Sequence, residues 1–403
     1  MIEQYSGIAP KGDLLLLKKL GEKLARKKFL HINSTRSGGG VAEILQRMIP
    51  ILQGIGIEAR WEVIEGDEKF FDTTKKMHNA LQGQAEVITD EMWEHHYEVN
   101  RNNAEKLDLS ADAVLIHDPQ PAPLIDFKKD GKWFWRCHID LSNPAQGVFE
   151  SLRKYCEKYD AAIFSVARFA RGIPISQFII TPSIDPLSDK NRDLSTEEVR
   201  QIMDKLKIPS DRPILLQVSR FDRFKDPTGV VKAYRLVKKY NECVLVLAGS
   251  PALDDPEGAT VLAEVTSFAS DDPDIHILLL PPFSDVEINA LQRAATIIFQ
   301  KSLKEGFGLT VSESLWKGKP VIGGAAGGIP LQITHGVSGF LVHSLEGAAF
   351  RARQLLNNPE MARSMGEQGK EYVRTNFLIT RQTRDYLALW YSIENPGKDF
   401  HEL

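Results

Sequence analysis

Glu305-Gly306-Phe307-Gly308-Leu309-Thr310-Val311-Ser312-Glu313-Ser314-Leu315 follows a short apolar run, Ile297 to Gln300. An apolar run, two closely spaced glycines and a helix-forming stretch read as strand, tight turn and helix, with the helix beginning near Leu309. The N–H groups of Leu309 and Thr310 then lie unpaired at a helix N-terminus, where a phosphate oxygen or a sugar hydroxyl can accept from them. Glu305 precedes the turn, and Glu313 lies about one turn into the helix, where it can accept from vicinal hydroxyls such as those of a ribose. As plain structure, Glu313 would be an acidic residue complementing the helix dipole and Glu305 an exposed loop carboxylate. Neither reading accounts for the glycines between them.

The same rhythm of short apolar runs and longer amphipathic stretches extends in both directions and predicts parallel strands with crossover helices. Upstream the candidate strands are Phe29 to Asn33, Ala59 to Ile64, Ala113 to His117, Trp133 to His138 and Ala161 to Ser165. From Pro182 to Asp193 the periodicity stops, and this Pro- and Ser-containing stretch reads as a linker. A second series follows: Pro213 to Val218, Val244 to Ala248, Ile275 to Leu280, Ile297 to Gln300 and Pro320 to Ile322. The expectation is an α/β protein with two Rossmann-like, doubly wound domains, 1–190 and 208–378, facing one another across a cleft. Periodicity does not decide whether the helix at about 380–403 packs on the second domain or crosses back to the first. Open parallel sheets bind ligands at the carboxyl ends of their strands, so residues just beyond those ends are the ones to examine.

Composition narrows the field without naming an activity. The 403 residues, 42% of them hydrophobic, suffice for two domains at a prior of roughly 150 residues each. Fifty Lys plus Arg against 54 Asp plus Glu give a net charge of −4, so no basic field favours nucleic acid or an anionic membrane. Any anion site must be local. Three cysteines, Cys137, Cys156 and Cys243, are too few and scattered for a disulfide framework or a zinc site, which points to a reducing cytoplasm. No apolar run reaches the ~18 residues of a membrane span, and the leucines at 14–17 meet Lys18-Lys19 at once.

Three further segments follow candidate strands. Asn33-Ser34-Thr35-Arg36-Ser37-Gly38-Gly39-Gly40 leads into an apolar-faced helix, and is either a phosphate cradle or a flexible turn; the dinucleotide and P-loop spacings are absent. Ser219-Arg220-Phe221-Asp222-Arg223-Phe224-Lys225-Asp226 sets a guanidinium fork and a point charge five positions apart, able to converge on one diphosphate. A solvated charge run is the ordinary alternative. His117-Asp118-Pro119-Gln120 and Arg136-Cys137-His138-Ile139-Asp140 end two upstream strands on the ligand side of the sheet.

Glu305 and Glu313 in Glu-x7-Glu spacing, with Arg220 and Lys225 in Arg-x4-Lys spacing, resemble the retaining nucleotide-sugar glycosyltransferases of the GT-B fold, glycosyltransferase family 4. The upstream segments resemble the glycosyltransferring trehalose synthases. They include His31-Ile32-Asn33-Ser34-Thr35 with the glycine triplet, Ala59 to Gly66, Phe70-Phe71, and Lys75 to Gly83. The resemblance implies transfer of glucose from UDP-, ADP- or GDP-glucose to free glucose, reversibly, giving α,α-trehalose. It also implies front-face substitution in which the leaving phosphate takes the acceptor proton, with no covalent carboxylate adduct. It implies catalytic roles for Glu305, Arg220, Lys225 and His138, and donor binding by Gly38, Gly39, Gly40, Gly306, Phe307, Gly308, Leu309, Thr310 and Glu313. Asp118, Gln120 and Asp140 are candidates for acceptor hydroxyls.

No Asp-x-Asp motif stands at a strand end, so no metal ligand and no tightly bound cofactor is expected; Mg2+ would stimulate at most. The partners expected are the small-molecule substrates, nucleotide-glucose, glucose or trehalose; the sequence does not set the oligomeric state, and a homodimer is admissible. Rival readings are a trehalose phosphorylase, a sucrose synthase-like or polysaccharide-building enzyme, and a non-catalytic binder of nucleotide sugars. An acceptor carrying phosphate would need extra cations upstream, and Arg36, Arg101 and Arg136 are present.

Overall fold

The computed structural model describes residues 2–36, 39–249, 256–269 and 272–397. The chain divides into two compact units, one running to Ser183 and including the C-terminal helix Ile379–Glu394, the other Ile184–Leu378.

In the first unit the strands are β1 (Lys28–Asn33), β2 (Glu58–Val63), β3 (Ala113–His117), β4 (Lys132–Cys137), β5 (Ala161–Phe164) and β6 (Ser176–Ile179). They form a parallel sheet in the order β2-β1-β3-β4-β5-β6. Helices cover both faces, so the inner strands are buried on both sides; β3 is buried throughout, and β1 and β4 at all but their first residue. Trp133, Trp135 and Phe164 fill one core. The chain leaves β1 for β2 on one side and returns to β3 on the other, which places the topological switch point between β1 and β3.

The second unit holds β7 (Ile214–Val218), β8 (Val244–Gly249), β9 (Ile275–Leu279), β10 (Ile297–Gln300), β11 (Val321–Gly324) and β12 (Gly339–Val342). Its parallel order is β12-β11-β10-β7-β8-β9. Here the switch point lies between β7 and β10, whose carboxyl ends carry the Arg220 and Glu305 segments.

Two boundaries change, and the packing of the C-terminal helix, left open by periodicity, is decided. The stretch 184–193 is no loose linker: Asp185, Ser188 and Asn191 are buried in the second unit, and Trp316 Nε1–H donates to the Asn191 carbonyl at 3.2 Å. The second unit therefore starts well before residue 208 and includes the helix Thr196–Lys205, fixed by a Ser195/Glu198 capping box and packed on Asp285–Ala294. The C-terminal helix packs on Lys11–Lys23 and Gly40–Gly54 of the first unit, its Trp390 ring 5.1 Å from Phe29. Strands β6 and β12 had no counterpart in the pattern. Both are four-residue edge strands, too short for a period to register. Among the described residues no helix is long and apolar enough to cross a membrane.

Candidate active site

At the second switch point, each loop is shaped by hydrogen bonds of its own. Asp222 accepts from the Phe224 N–H at 2.7 Å and bends the chain into a short 3-10 turn, Arg223–Lys225. The Gln217 amide donates to the Lys225 carbonyl at 2.8 Å, and the Leu303 N–H to the Phe224 carbonyl at 2.7 Å, which ties the loop after β7 to the loop after β10. Lys225 Nζ thereby reaches Glu305 Oε2 at 2.6 Å. The same oxygen accepts from Ser302 Oγ at 3.1 Å and Gln300 Nε2 at 3.3 Å. Glu305 is buried, and its Oε1 has no hydrogen-bond partner among the described residues. Arg220 is exposed, with Nη2 3.4 Å from Asp222. A further cation, buried Lys301, pairs with Asp226, which also caps the helix Pro227–Lys238 through the Gly229 N–H at 3.1 Å.

Gly308 adopts φ 83° as the N-cap of the helix Leu309–Trp316, a conformation that costs a side-chain-bearing residue energy. Thr310 Oγ1 lies 3.4 Å from the Val218 carbonyl, which leaves the first-turn N–H groups at the end of β7. Phe307 turns its ring inward against Phe377, so only its backbone faces the loop; its carbonyl accepts from Gln332 at 2.6 Å. Glu313 is buried, receiving Gln292 Nε2 at 3.2 Å, with Lys190 Nζ at 3.9 Å.

In the first unit, Gly39 caps the helix Gly40–Gly54 just beyond β1; Gly38 lies outside the described residues. Asp118 ends β3 with φ 67°, unusual for a residue other than glycine, and its carboxylate accepts the His138 backbone N–H at 2.7 Å. Burial pushes the Asp118 carboxyl up to about 7, with the His138 N–H and the Arg136 charge opposing. Asp140 is buried and accepts the Ser142 N–H at 2.8 Å, shaping the turn after β4. The Gln120 carbonyl accepts from His96 Nε2 at 3.0 Å, while its side-chain oxygen is buried without a partner among the described residues. His138 is half-buried, and its ring Nε2 lies 3.1 Å from His117 Nδ1.

Of the upstream arginines, Arg136 is fully enclosed and donates to Ser165 Oγ at 3.0 Å, and Arg101 pairs with Glu98 on a helix surface. Arg36 lies over the Trp61 ring at 4.7 Å, with Glu62 at 3.8 Å. One cation out of three thus stands at a strand end, already compensated.

Several contributors were not singled out from sequence. Lys301, Gln300 and Ser302 lie on or just beyond β10. A third glycine turn, Gly327-Gly328, follows β11, where a Cβ on Gly327 would sit 1.7 Å from the Glu305 carbonyl oxygen. The run Gly323-Gly324-Ala325-Ala326-Gly327-Gly328 is a visible signal for it, since such a density of small residues after a strand marks close backbone approach.

Residues 31–171 match the family model described as trehalose synthase, N-terminal domain, and residues 198–372 match glycosyl transferases group 1. A trehalose synthase of Pyrococcus horikoshii is 45% identical over 97% of this chain and 96% of its own. A trehalose phosphorylase of Pleurotus pulmonarius is 30% identical over 97% of this chain but only 61% of its own. Among solved structures, the UDP-forming α,α-trehalose-phosphate synthase of Burkholderia xenovorans, crystallised with glucose-6-phosphate, superposes with a TM-score of 0.74 at 14% identity. That superposition covers 91% of this chain and all of the other, and it establishes the two-sheet α/β fold of the GT-B class.

Proposed function

Because the chain belongs to the trehalose synthase family and is a glycosyltransferase, we propose that it moves glucose from a nucleotide-glucose to free glucose with retention, forming α,α-trehalose and a nucleoside diphosphate. The observation that carries this reading is identity at 45% across both units, including the upstream half where acceptor choice is expected to reside.

This reading gives the site residues distinct roles. Lys225 and Arg220, with the N–H groups at Leu309 and Thr310, neutralise the diphosphate as it leaves. Glu313 binds the ribose hydroxyls, and the free Oε1 of Glu305 orients a glucosyl hydroxyl. His138, Asp118 and Asp140 stand at strand ends suited to sugar hydroxyls. The acceptor oxygen bonds to C1 as the C1–O bond to phosphate breaks on the same face, and the acceptor proton passes to the departing phosphate oxygen. With cations of its own at the diphosphate, the enzyme works without a tightly bound metal; prolonged EDTA treatment should leave most activity, and complete loss restored by magnesium would reject this account.

Incubation with UDP-, ADP- and GDP-glucose, with and without glucose, followed by NMR of the disaccharide, reads linkage and nucleotide preference together. Failure with every nucleotide-glucose, alongside phosphate-dependent cleavage of trehalose to glucose 1-phosphate, would favour a phosphorylase instead.

A further inference from the structure

Three imidazoles cross the first sheet in one line, from adjacent strands at its switch point to the end of β4. His31 Nδ1 lies 3.2 Å from His117 Nε2, and His117 Nδ1 lies 3.1 Å from His138 Nε2. Ring centroids are 5.5 and 5.4 Å apart with planes within 21° and 16°. Those separations exceed the N···N distances by about the width of one ring, so the rings lie edge to edge, the arrangement that N–H···N hydrogen bonds require. The line starts inside the protein, where His31 is fully buried beside the rings of Phe29, at 4.3 Å, and Tyr386, at 6.5 Å. It ends at half-buried His138, whose Nδ1 has no partner among the described residues.

The charges around this line keep it neutral. Arg136 on β4 is fully buried, with Nε and Nη1 unpaired among the described residues, and its field opposes a second positive charge at His117 or His138. Burial acts the same way on all three rings: His31 falls to about 3, and His117 and His138 lie well below the ordinary imidazole range. Asp118 accepts from the backbone of His138 rather than its ring.

Three neutral imidazoles carry one proton each, so the line has a direction. His31 Nε2 is buried without a partner among the described residues. A buried orphan N–H is among the rarest features of native proteins, whereas an under-used acceptor is tolerated more often. The proton of His31 therefore sits on Nδ1 and is donated to His117 Nε2. His117 must then hold its own proton on Nδ1 and donate it to His138 Nε2.

We propose that His31 and His117 are positioning residues that fix His138 as its Nδ1–H tautomer, so that His138 presents a hydrogen-bond donor, and no acceptor, beyond the end of β4. The oxygen that this donor meets rests on the reaction proposed above; the tautomer does not.

The test is a long-range 1H–15N spectrum of the full chain labelled with 15N-histidine, recorded without added substrate and assigned with His138→Gln. The expected His138 signals are pyrrole-like at Nδ1 and pyridine-like at Nε2. The opposite pattern, or fully averaged signals, overturns the proposal. His117→Asn, whose amide can donate from the place of Nδ1, should keep that pattern and most of the turnover. His117→Phe should release the tautomer to averaging and lower kcat roughly tenfold, the size of one oriented hydrogen bond, with KM for the nucleotide-glucose little changed. An unaltered His138 spectrum in His117→Phe also overturns it, and if that variant does not fold, the wild-type and His117→Asn spectra decide. A wild-type spectrum as expected from a protein that makes no trehalose would reject the reaction and leave the tautomer standing.

Discussion

Lys225 and Glu305 hold opposite charges 2.6 Å apart with side chains 17% and 8% exposed, so neither can be removed without consequence for the other. The Glu305 carboxylate keeps two further donors, Ser302 and Gln300, and would survive loss of the lysine better than an isolated buried charge. Lys225→Ala should therefore fold, while turnover falls roughly 10²-fold or more, the scale of losing a donor aimed at charge that develops in the transition state. Steady-state kinetics with a melting curve check both halves, and near-normal turnover would remove Lys225 from the diphosphate. Glu313 differs, since its carboxylate is held by Gln292 and, in the proposed reaction, meets the ribose and not the glucosyl group. Glu313→Ala should raise KM for the nucleotide-glucose more than it lowers kcat, the signature of lost ground-state binding. Equal losses in kcat and kcat/KM would assign Glu313 to the chemistry instead.

At the scale of elements, the Glu305 turn is held by its neighbours. Gly327 approaches so closely, at φ 55°, that a methyl group there meets the Glu305 carbonyl oxygen, and the Gly328 N–H donates to the Gly306 carbonyl at 2.9 Å. Gly327→Ala should displace the turn, collapsing turnover and lowering Tm by several degrees. Gly336→Ala is the control: it shares a positive φ, 80°, but has open space around it, so it should lose only the backbone term of about 1–2 kcal/mol and keep its kinetics. Equal effects in the two variants would show that backbone strain, not contact with Glu305, is what matters.

The same scale shows what could be read from the chain. Strand–turn–helix at Glu305 was legible because glycine spacing and apolar runs are local properties, and β1, β3 and β10 lie as the apolar runs indicate. Which strands sit side by side was not, because pairing β7 with β10 joins residues about 80 positions apart. His31 illustrates the gap: the sequence places it within an apolar run, and only the placement of β1 beside β3 brings it to His117.

For the whole molecule, the buried histidines set a limit on acid stability. Burial holds His96 near 4 and His31 near 3, and holds His117 and His138 well below the ordinary range. A depressed folded-state pKa confers stability that is complete above the unfolded value, near 6.5, and is lost as pH falls toward the folded one. At pH near 5 these four imidazoles are therefore protonated in the unfolded chain and held toward neutrality in the folded one. Asp118 works in the opposite sense. Raised to about 7 by burial, it stays protonated in the folded chain where the unfolded carboxyl has ionised, so its stabilising effect is full at low pH and disappears as pH rises through 7. Four imidazoles against one carboxyl leave a net uptake of protons on unfolding near pH 5, so stability falls with pH there. Urea midpoints measured from pH 7.5 down to 5 should fall steeply below about 6.5. Replacing His31 by Phe should flatten that slope by about one proton, and a midpoint that stays level in the wild type across this range would mean that the imidazole line is charged or hydrated in solution.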